Sequence, residues 1–514
     1  MDFEKREPVW KEEQEKRERL LNARRADWRV GSVVYQVIVD RFAPPEKVEE
    51  KKEHYAHPRT LRPWDEVPKK GHFDSTERVM QGEMEFWGGD LKSLAGRLDH
   101  LHDLGIQTLY LNPIFDAFTN HKYDANDYFK VDPQYGENED LRALADALHE
   151  RGMYLMLDGV FNHVGRRSPL FQRAEADPHA PERDWFIFDK RIKQGYRGWR
   201  RGANLPELNL ENAEVRRMLW DSSDSVVRRY IREENIDGWR LDVAPDIGPA
   251  FLEEITRAAH AEKPGSWVIG ECWNYPIEWL MCLDGIMNMH VRRLLLGLAH
   301  GQVSPRMFNR ALEHQITECD YEGLLRSHLI LENHDTRRIA TDVPDDDMRL
   351  LLRALQFTLP GSPVVYYGSE AGMKGGDDPG SRAPMRWDLL EKDNVDYEST
   401  LKWTKLRREN PALTVGDCRV LDTDKLVSFV RFTDKATQTL IVAANRGMET
   451  VTELVPVRYS LLMDAAPIEC LLSGERLVMG AGTAEITVPP KSMRLFRTAD
   501  RNEGPNYSMY KRVP

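Results

Sequence analysis

Eight short runs rich in β-branched and aromatic residues alternate with longer amphipathic segments over most of this chain. Such alternation is typical of repeated βα units around a parallel sheet. Eight units predict an α/β fold, a (β/α)8 barrel, although their spacing alone leaves an open doubly wound sheet as the alternative. The runs are "SVVYQVIVDRF" from Ser32, "QTLYLNPI" from Gln107, "MYLMLDGVFNH" from Met153, "DGWRLDV" from Asp237, "SWVIGECW" from Ser266, "DGIMNMH" from Asp284, "HLILENHD" from His328 and "SPVVYYGSE" from Ser362.

Three further segments complete the predicted organisation. The N-terminal segment mixes Glu with Lys and Arg at helical spacing, which predicts a solvated surface helix, with an oligomerisation arm as the alternative. The connection after the third run is too long for an ordinary βα loop and predicts a small excursion domain over the active face. Runs such as "KLVSFVRFT" and "TLIVAANR" predict a separate antiparallel β-sandwich. The predicted boundaries are 1–30 for the helix, 31–163 and 211–410 for the barrel, 164–210 for the excursion, 411–500 for the C-terminal β domain and 501–514 for a tail.

Composition narrows the class of partner. The 514 residues carry a formal net charge of −12, so there is no basic excess with which to bind nucleic acid, and a neutral ligand fits better. The N-terminus lacks the apolar core of a signal peptide, and no later run has the length of a membrane span. Five cysteines at irregular spacing favour reduced thiols over disulfides or a zinc site. We therefore expect a cytoplasmic protein without a membrane partner.

Polar side chains gather at the C-terminal end of one predicted strand after another. In "DGWRLDVAPD", Arg240 and Asp242 lie two residues apart, so both side chains point to the same face of the strand. A barrel builds its active site at this end, and clustered buried charges cost several kcal/mol unless the site uses them. The other members of the cluster are Asp158, Asn162 and His163 after the third run, Glu271 in the fifth, and His334 and Asp335 in the seventh.

Three carboxylates and an arginine around one cavity favour glycosidic bond chemistry. That reaction needs one carboxylate as a nucleophile and a second as an acid and then a base. Arg240 lies beside Asp242 and favours its ionised form, whereas the apolar flank around Glu271, with Trp273, favours a protonated acid. These residues therefore predict a nucleophile at Asp242 and a proton donor at Glu271.

Four segments carry a resemblance to a known family. "DGVFNH", "GWRLDVA", "GECW" and "LENHD" resemble, in this order and spacing, the four signature regions of the α-amylase superfamily, glycoside hydrolase family 13. "NHKYDANDYFKVDPQYG" and "LPELNL" resemble the subgroup of neopullulanase, cyclomaltodextrinase and maltogenic amylase. That subgroup usually carries an extra N-terminal β domain, whereas only about 30 residues precede the first predicted strand here. The long third connection corresponds to domain B of the superfamily.

The resemblance implies roles for individual residues. Asp242 is implied as the nucleophile, Glu271 as the acid/base, and Asp335 as the third carboxylate, which grips the sugar. Asp158 and Asn162 are implied as structural support. The implied substrate-binding residues are His163, His334 and Tyr123 at the cleaved sugar, Arg240 beside the nucleophile, Asp378 and Arg382 at the next sugar, and Trp273 and Phe186 on the aglycone side.

The resemblance also implies an activity. We expect a retaining hydrolase of α-1,4 bonds in maltooligosaccharides, cyclodextrins, starch or pullulan, which releases mainly maltose with some transglycosylation. One alternative is a specialised relative, namely an α-glucosidase, a trehalose-forming isomerase or a cyclic-glucan hydrolase. A non-catalytic carbohydrate-binding scaffold is a further alternative, but such relatives usually lack one of the three carboxylates. A homodimer remains open.

The expected calcium ligands of the family are largely missing from this sequence. Many α-amylases use a histidine four residues after the nucleophile, where this chain has Asp246. The subgroup often uses Asn and Asp after a "DRF" sequence, but "DRFAPPEKVEE" offers no such side chain directly after Phe42. Asp90, Asn162 and Asp246 remain as partial ligands. Since hard cations need six to eight oxygens, we expect no cofactor and no required calcium.

Overall fold

Eight parallel strands close into a barrel in a computed structural model that describes residues 9–390 and 393–499. The strands follow one another around the barrel in chain order and the first pairs with the eighth, so the predicted (β/α)8 fold is confirmed and the open sheet is excluded. The predicted tail, 501–514, lies outside the described residues, as do residues 1–8. The strands are β1 Val34–Val37, β2 Thr108–Leu111, β3 Tyr154–Gly159, β4 Gly238–Leu241, β5 Trp267–Cys272, β6 Gly285–Asn288, β7 His328–Ile330 and β8 Ser362–Tyr366.

The barrel strands are shorter than the runs that predict them. β1 ends at Val37, and the rest of the first run, Val39–Phe42, forms a helical turn. Asp40 in this turn is fully buried and accepts hydrogen bonds from the backbone N–H groups of Trp87 and Gly88. The backbone of this turn leaves the barrel sheet, and the Asp40 carboxylate accepts the two backbone N–H groups from there.

Helices surround the barrel and bury one apolar face each. Helix Asn138–Glu150 shows the pattern, because its buried positions Leu141, Leu144, Ala145 and Leu148 follow helical spacing. The β5–β6 connection holds only a short turn, Trp279–Met281. The remaining barrel helices are Leu91–Ala95, Leu98–Asp103, Ala213–Arg216, Val226–Glu233, Pro249–Glu262, Met289–Ala299, Pro305–Glu318, Tyr321–Arg326, Ile339–Asp342, Asp346–Thr358, Val395–Glu409 and Pro411–Thr414.

Two excursions rise over the C-terminal ends of the strands, and only the second was expected. The first, residues 43–90, follows β1 and contains the hairpin Phe73–Asp74 with Val79–Met80. The second follows β3 and contains the helix Pro169–Ala176 and an aromatic cluster of its own. The first was missed because its strands are only two residues long and give no periodic signal.

The C-terminal region is antiparallel. A six-stranded sheet and a two-stranded ribbon pack over one apolar cluster that includes Val430, Phe496 and Ile486. Arg431 attaches this region to the barrel by donating to the backbone oxygens of Thr358 and Gly416. Its strands are β9 Asp417–Val420, β10 Val427–Phe432, β11 Leu440–Asn445, β12 Val451–Pro456, β13 Pro467–Cys470, β14 Arg476–Val478, β15 Thr483–Val488 and β16 Ser492–Thr498.

The N-terminal helix α1, Val9–Ala26, docks its second half between the barrel and the C-terminal sheet. Arg24 is 4% exposed and donates to Glu322, to Asp417 and to the backbone oxygen of Val415. Most side chains of this helix are exposed, as the prediction of a solvated surface helix requires, whereas Leu21 and Arg24 are buried against the rest of the chain. No helix in the described part of the chain has the length and apolar character that a membrane crossing requires.

Candidate active site

Arg240 stands at the centre of the polar cluster and serves three carboxylates. Its Nη1 lies 2.7 Å from Asp158 and 2.9 Å from Asp242, and its Nη2 lies 3.0 Å from Glu271. The three acids come from β3, from the residue after β4 and from β5, and β4 pairs with both neighbouring strands. Barrel closure thus brings Asp158, Arg240, Asp242 and Glu271 together as the sequence predicts.

The charges in this cluster do not balance. Three carboxylates share one buried guanidinium, so full ionisation leaves an excess of negative charge in a site with little water. Burial raises the pKa of Asp242 well above its usual range, and the opposing effect of Arg240 is smaller. Burial also raises the pKa of Asp158. The Arg240 guanidinium favours the ionised form of Asp242, as expected from the sequence, but desolvation of the carboxylate opposes it and is the larger effect.

Glu271 faces N–H donors rather than the apolar flank that was expected. Its Oε1 accepts from the indole of Trp273 at 2.8 Å, and its Oε2 accepts from the backbone N–H of Val243 at 3.0 Å. Val243 has φ of 42°, in the left-handed region that a β-branched residue rarely adopts. Such a conformation costs on the order of 1–3 kcal/mol and is typical of functional sites. The strained turn after the proposed nucleophile thus orients the proposed acid.

Tyr123 and His334 form a second polar pair beside Asp158. The Tyr123 hydroxyl donates to Asp158 Oδ2 at 2.9 Å and lies 2.6 Å from His334 Nε2. Gln36 Nε2 donates to His334 Nδ1 at 2.9 Å, so His334 carries its proton on Nε2. Burial lowers the pKa of His334 well below its usual value, and the ring is neutral. Gln36 was missed because it lies inside β1, where the sequence gives no sign of a polar inward position.

His163 is buried at the end of the β3 segment. Its pKa is lowered to about 4 by burial, and its Nδ1 lies 3.4 Å from the side-chain nitrogen of Asn162. Its Nε2 is buried without a hydrogen-bond partner among the described residues. An Nδ1 that faces the donor amide of Asn162 leaves the proton on Nε2, and the ring also contacts the backbone oxygen of Tyr123.

Arg382 links three groups near the third carboxylate. Its Nε donates to the backbone oxygen of His334 at 2.8 Å and lies 3.0 Å from Asp378. Its Nη2 lies 3.3 Å from Asp335 Oδ1. Asp378 and Asp335 keep 52% and 33% of their side chains exposed. Both carboxylates therefore combine a fixed cation with open oxygen atoms, as contact with sugar hydroxyls requires.

The two predicted aglycone aromatics have different environments. Trp273 is 54% exposed beside Glu271 and offers an open ring face. Phe186 is 4% exposed and packs edge-on against Phe171, with ring centroids 5.0 Å apart. The prediction for Phe186 is corrected, because its ring belongs to the core of the second excursion. Trp199 of the same excursion reaches the site instead and stacks on His163, with ring centroids 5.5 Å apart.

The residues that remained as metal ligands do not fit a hard cation. The ammonium of Lys51 lies 2.8 Å from Asp90 Oδ2 and 2.9 Å from the backbone oxygen of Gly88. Asp246 accepts the indole N–H of Trp199 at 2.9 Å. The side chain of Asn162 faces His163. Within the described residues, no group of three or more His, Cys, Asp or Glu side chains is arranged to hold a metal ion.

Comparison with known proteins places this geometry in a family context. Residues 36–417 match the family described as alpha amylase, catalytic domain. A cyclomaltodextrinase from Geobacillus thermopakistaniensis (strain MAS1) is 34% identical over 484 residues, 91% of this chain and 77% of the relative. An intracellular maltogenic amylase from Bacillus subtilis is 34% identical over 82% of this chain and 69% of its own length. The solved cyclic α-maltosyl-(1→6)-maltose hydrolase from Arthrobacter globiformis is 29% identical with a TM-score of 0.77, covering 92% of this chain and 100% of that one.

Proposed function

The chain belongs to the family of α-amylase catalytic domains, and from this premise we propose that it is a retaining α-glucan hydrolase. It acts on the α-1,4 bonds of cyclodextrins, pullulan and maltooligosaccharides, and it releases mainly maltose. The observation that carries this proposal is the shared guanidinium of Arg240, which holds Asp242 and Glu271 at 2.9 Å and 3.0 Å. Two carboxylates on adjacent strands and one cation are the groups that this chemistry uses.

The proposed reaction has two steps. Asp242 attacks the anomeric carbon while Glu271 donates a proton to the leaving oxygen, which forms a covalent glycosyl-enzyme. Glu271 then takes a proton from water, which attacks the anomeric carbon and releases the sugar. A sugar hydroxyl in place of water gives transglycosylation. This cycle requires Asp242 to be ionised and Glu271 to be protonated when the substrate is bound.

The other polar groups are proposed to hold the substrate. His163 and His334 lie beside the cleaved sugar, and Asp335 accepts hydrogen bonds from its hydroxyls. Asp378 and Arg382 contact the next sugar on the non-reducing side. Tyr123 stacks on the cleaved sugar and Trp273 on the aglycone, and Asp158 with Asn162 supports these groups.

A second candidate substrate is a cyclic glucan that contains α-1,6 bonds. It is favoured by structural similarity, because the solved Arthrobacter globiformis hydrolase matches 92% of this chain with a TM-score of 0.77. The solved structure of the former is named for hydrolysis of cyclic α-maltosyl-(1→6)-maltose. The same substrate class therefore belongs in the test.

The test is incubation with β-cyclodextrin, pullulan, soluble starch and cyclic α-maltosyl-(1→6)-maltose, with separation of the products by chromatography. We expect hydrolysis of at least one of them, with maltose as the main product from cyclodextrin. Proton NMR of the first product should show the α-anomer, because two displacements retain the configuration. A β-anomer released first would contradict the role of Asp242, and no hydrolysis of any of the four would contradict the proposed function.

A further inference from the structure

Trp199 connects the second excursion to the catalytic cluster through two side-chain contacts. Its indole ring lies nearly parallel to the imidazole of His163, with centroids 5.5 Å apart and an angle of 24° between the planes. Its Nε1–H donates to Asp246 Oδ2 at 2.9 Å. Asp246 lies in the short helix Ala244–Ile247, directly after the strained Val243. One side chain thus contacts both a sugar-facing histidine and the turn that orients Glu271.

The imidazole of His163 has few other restraints. Its Nδ1 has a long 3.4 Å contact with Asn162, and the ring also contacts the backbone oxygen of Tyr123. The hydrogen bond from Tyr128 goes to the backbone oxygen of His163 and does not fix the ring. These in-plane contacts leave the ring faces to packing, and the Trp199 indole supplies a surface that limits rotation of the ring about χ2.

The backbone fixes Trp199 in turn. Its N–H donates to the oxygen of Leu205 at 2.9 Å, and its oxygen accepts from Gly202 at 2.8 Å. The guanidinium of Arg200 lies 4.7 Å from the indole ring. These contacts hold the half-buried Trp199 in place beside His163, which fits a fixed wall of the site.

We propose that Trp199 is a positioning residue that holds His163 in the orientation in which its Nε2–H donates to the cleaved sugar. Asp246 secures the indole against the barrel. This inference rests on the proposed function and assigns to the second excursion a part in the reaction beyond covering the cleft. Neither the sequence nor the family motifs assign this part to Trp199.

The test is a set of variants assayed on β-cyclodextrin. Trp199→Ala removes the packing surface and should lower kcat by about 100-fold with little change in KM, because misplacing a catalytic-site group by about 1 Å costs this much. Trp199→Phe keeps a ring but loses the N–H, and Asp246→Ala loses the acceptor. Each of these two should lower kcat less than about tenfold, since one hydrogen bond is lost. Trp10→Ala is the control, because Trp10 is 57% exposed on α1.

A mutant cycle with His163→Ala separates positioning from a merely structural role. If Trp199 acts through His163, adding Trp199→Ala to His163→Ala should lower kcat by less than about threefold, whereas independent effects multiply. Multiplied effects would overturn the proposal, as would an unchanged kcat in Trp199→Ala or an increase in KM alone. Each variant is compared at equal folded fraction, measured by circular dichroism. A wild-type protein that hydrolyses nothing would contradict the proposed function instead.

Discussion

The two ends of β4 carry an aspartate each, and their surroundings differ. Asp237, before the strand, accepts from the backbone N–H of Leu155 at 2.8 Å and contacts Lys263 at 2.6 Å and His149 at 2.7 Å. Asp242, after the strand, has a share in one guanidinium nitrogen of Arg240. Both carboxylates are buried. Only the first has enough partners to offset the loss of water.

The same difference appears one strand further around the barrel. Asp284, before β6, accepts from the backbone N–H of Val268 and contacts His260 and Arg29. Glu271 in β5 shares Arg240 with two other acids, and His163 has a free Nε2. A buried charge alone therefore does not mark an active site. The useful sign is a buried polar group whose partners are too few, because a substrate can supply the missing contacts.

The largest expected effect is on catalysis at the C-terminal end. Asp242→Asn and Glu271→Gln should each lower kcat by at least about 10³-fold, since each removes a reacting group and keeps its shape. Melting temperature should stay the same or rise, because each change relieves the crowding of acids around Arg240. Hydrolysis of starch and thermal unfolding measure the two effects.

The Glu271 variant offers an internal check on the assignment. A substrate with a good leaving group needs no proton donor, so Glu271→Gln should keep part of its rate on an activated aryl glycoside. Asp242→Asn should not. A few percent of wild-type activity on starch in either variant, with an unchanged fold and no wild-type contamination, would show that the residue is misassigned.

The opposite result is expected at the N-terminal end of the same strand. Asp237→Asn weakens the contacts to Lys263 and His149 and should lower the melting temperature by about 3–5 °C. The kcat of the folded fraction should stay within about twofold of wild type, because the site lies at the other end of the strand. A large loss of kcat without loss of stability would break the contrast between the two ends.

The surroundings of Asp237 and Asp242 also show which features of the site could be predicted from the sequence. Strand alternation and the order of the motifs were enough to bring Arg240, Asp242 and Glu271 to one rim. The sharing of one guanidinium was not predictable, because it depends on how neighbouring strands set their register. Phe186 was misassigned because the sequence does not show whether an aromatic residue in a long loop packs in a core or lines a cleft. Trp199 gave no signal of its own.

His328, near the N-terminal ends of the barrel strands, is buried there without the full set of partners that Asp237 and Asp284 have. Neither ring nitrogen of His328, at the start of β7, has a hydrogen-bond partner among the described residues. The ring packs at 90° to Trp267, with centroids 5.0 Å apart, and burial lowers its pKa to about 3. His328 is enclosed on all sides, so a substrate cannot supply its missing contacts. A buried side chain with unfilled hydrogen bonds therefore indicates a binding site only where a substrate can reach it.

The pH dependence of stability tests this exception. Above pH 6.5 His328 is neutral in both the folded and the unfolded chain. Between pH 6.5 and about 3 the unfolded chain binds a proton that the folded chain does not, so stability falls as pH falls. From pH 7 to pH 5 the wild type should lose about 2 kcal/mol more than His328→Leu, measured by urea unfolding. Equal losses, or a variant without activity at pH 7, would contradict a purely structural His328.

The smallest expected effect is that of metal removal. It follows from a comparison of Asp90 with Asp242, which both lie above the C-terminal ends of the barrel strands. Asp90 lies above the barrel like Asp242, yet it has a full set of partners. It accepts from the backbone N–H of Ser93 at 2.7 Å and contacts the Lys51 ammonium at 2.8 Å. Lys51 also donates to the backbone oxygen of Gly88, so a cation of the chain itself already joins these two oxygens. A metal ion here would have to displace Lys51 and would find too few oxygens.

We therefore expect dialysis against EDTA to leave both activity and melting temperature unchanged, since a metal that does not bind the folded chain cannot stabilise it. Lys51→Met is the matched variant, because it keeps the aliphatic stem and removes the charge. It should melt a few degrees lower than wild type, since the carboxylate of Asp90 and the oxygen of Gly88 lose their shared donor. Calcium should change neither the wild-type melting temperature nor its activity. A wild-type melting temperature that falls by several degrees on chelation and recovers with calcium would contradict this prediction, and would place metal ligands in the excursions that surround the site.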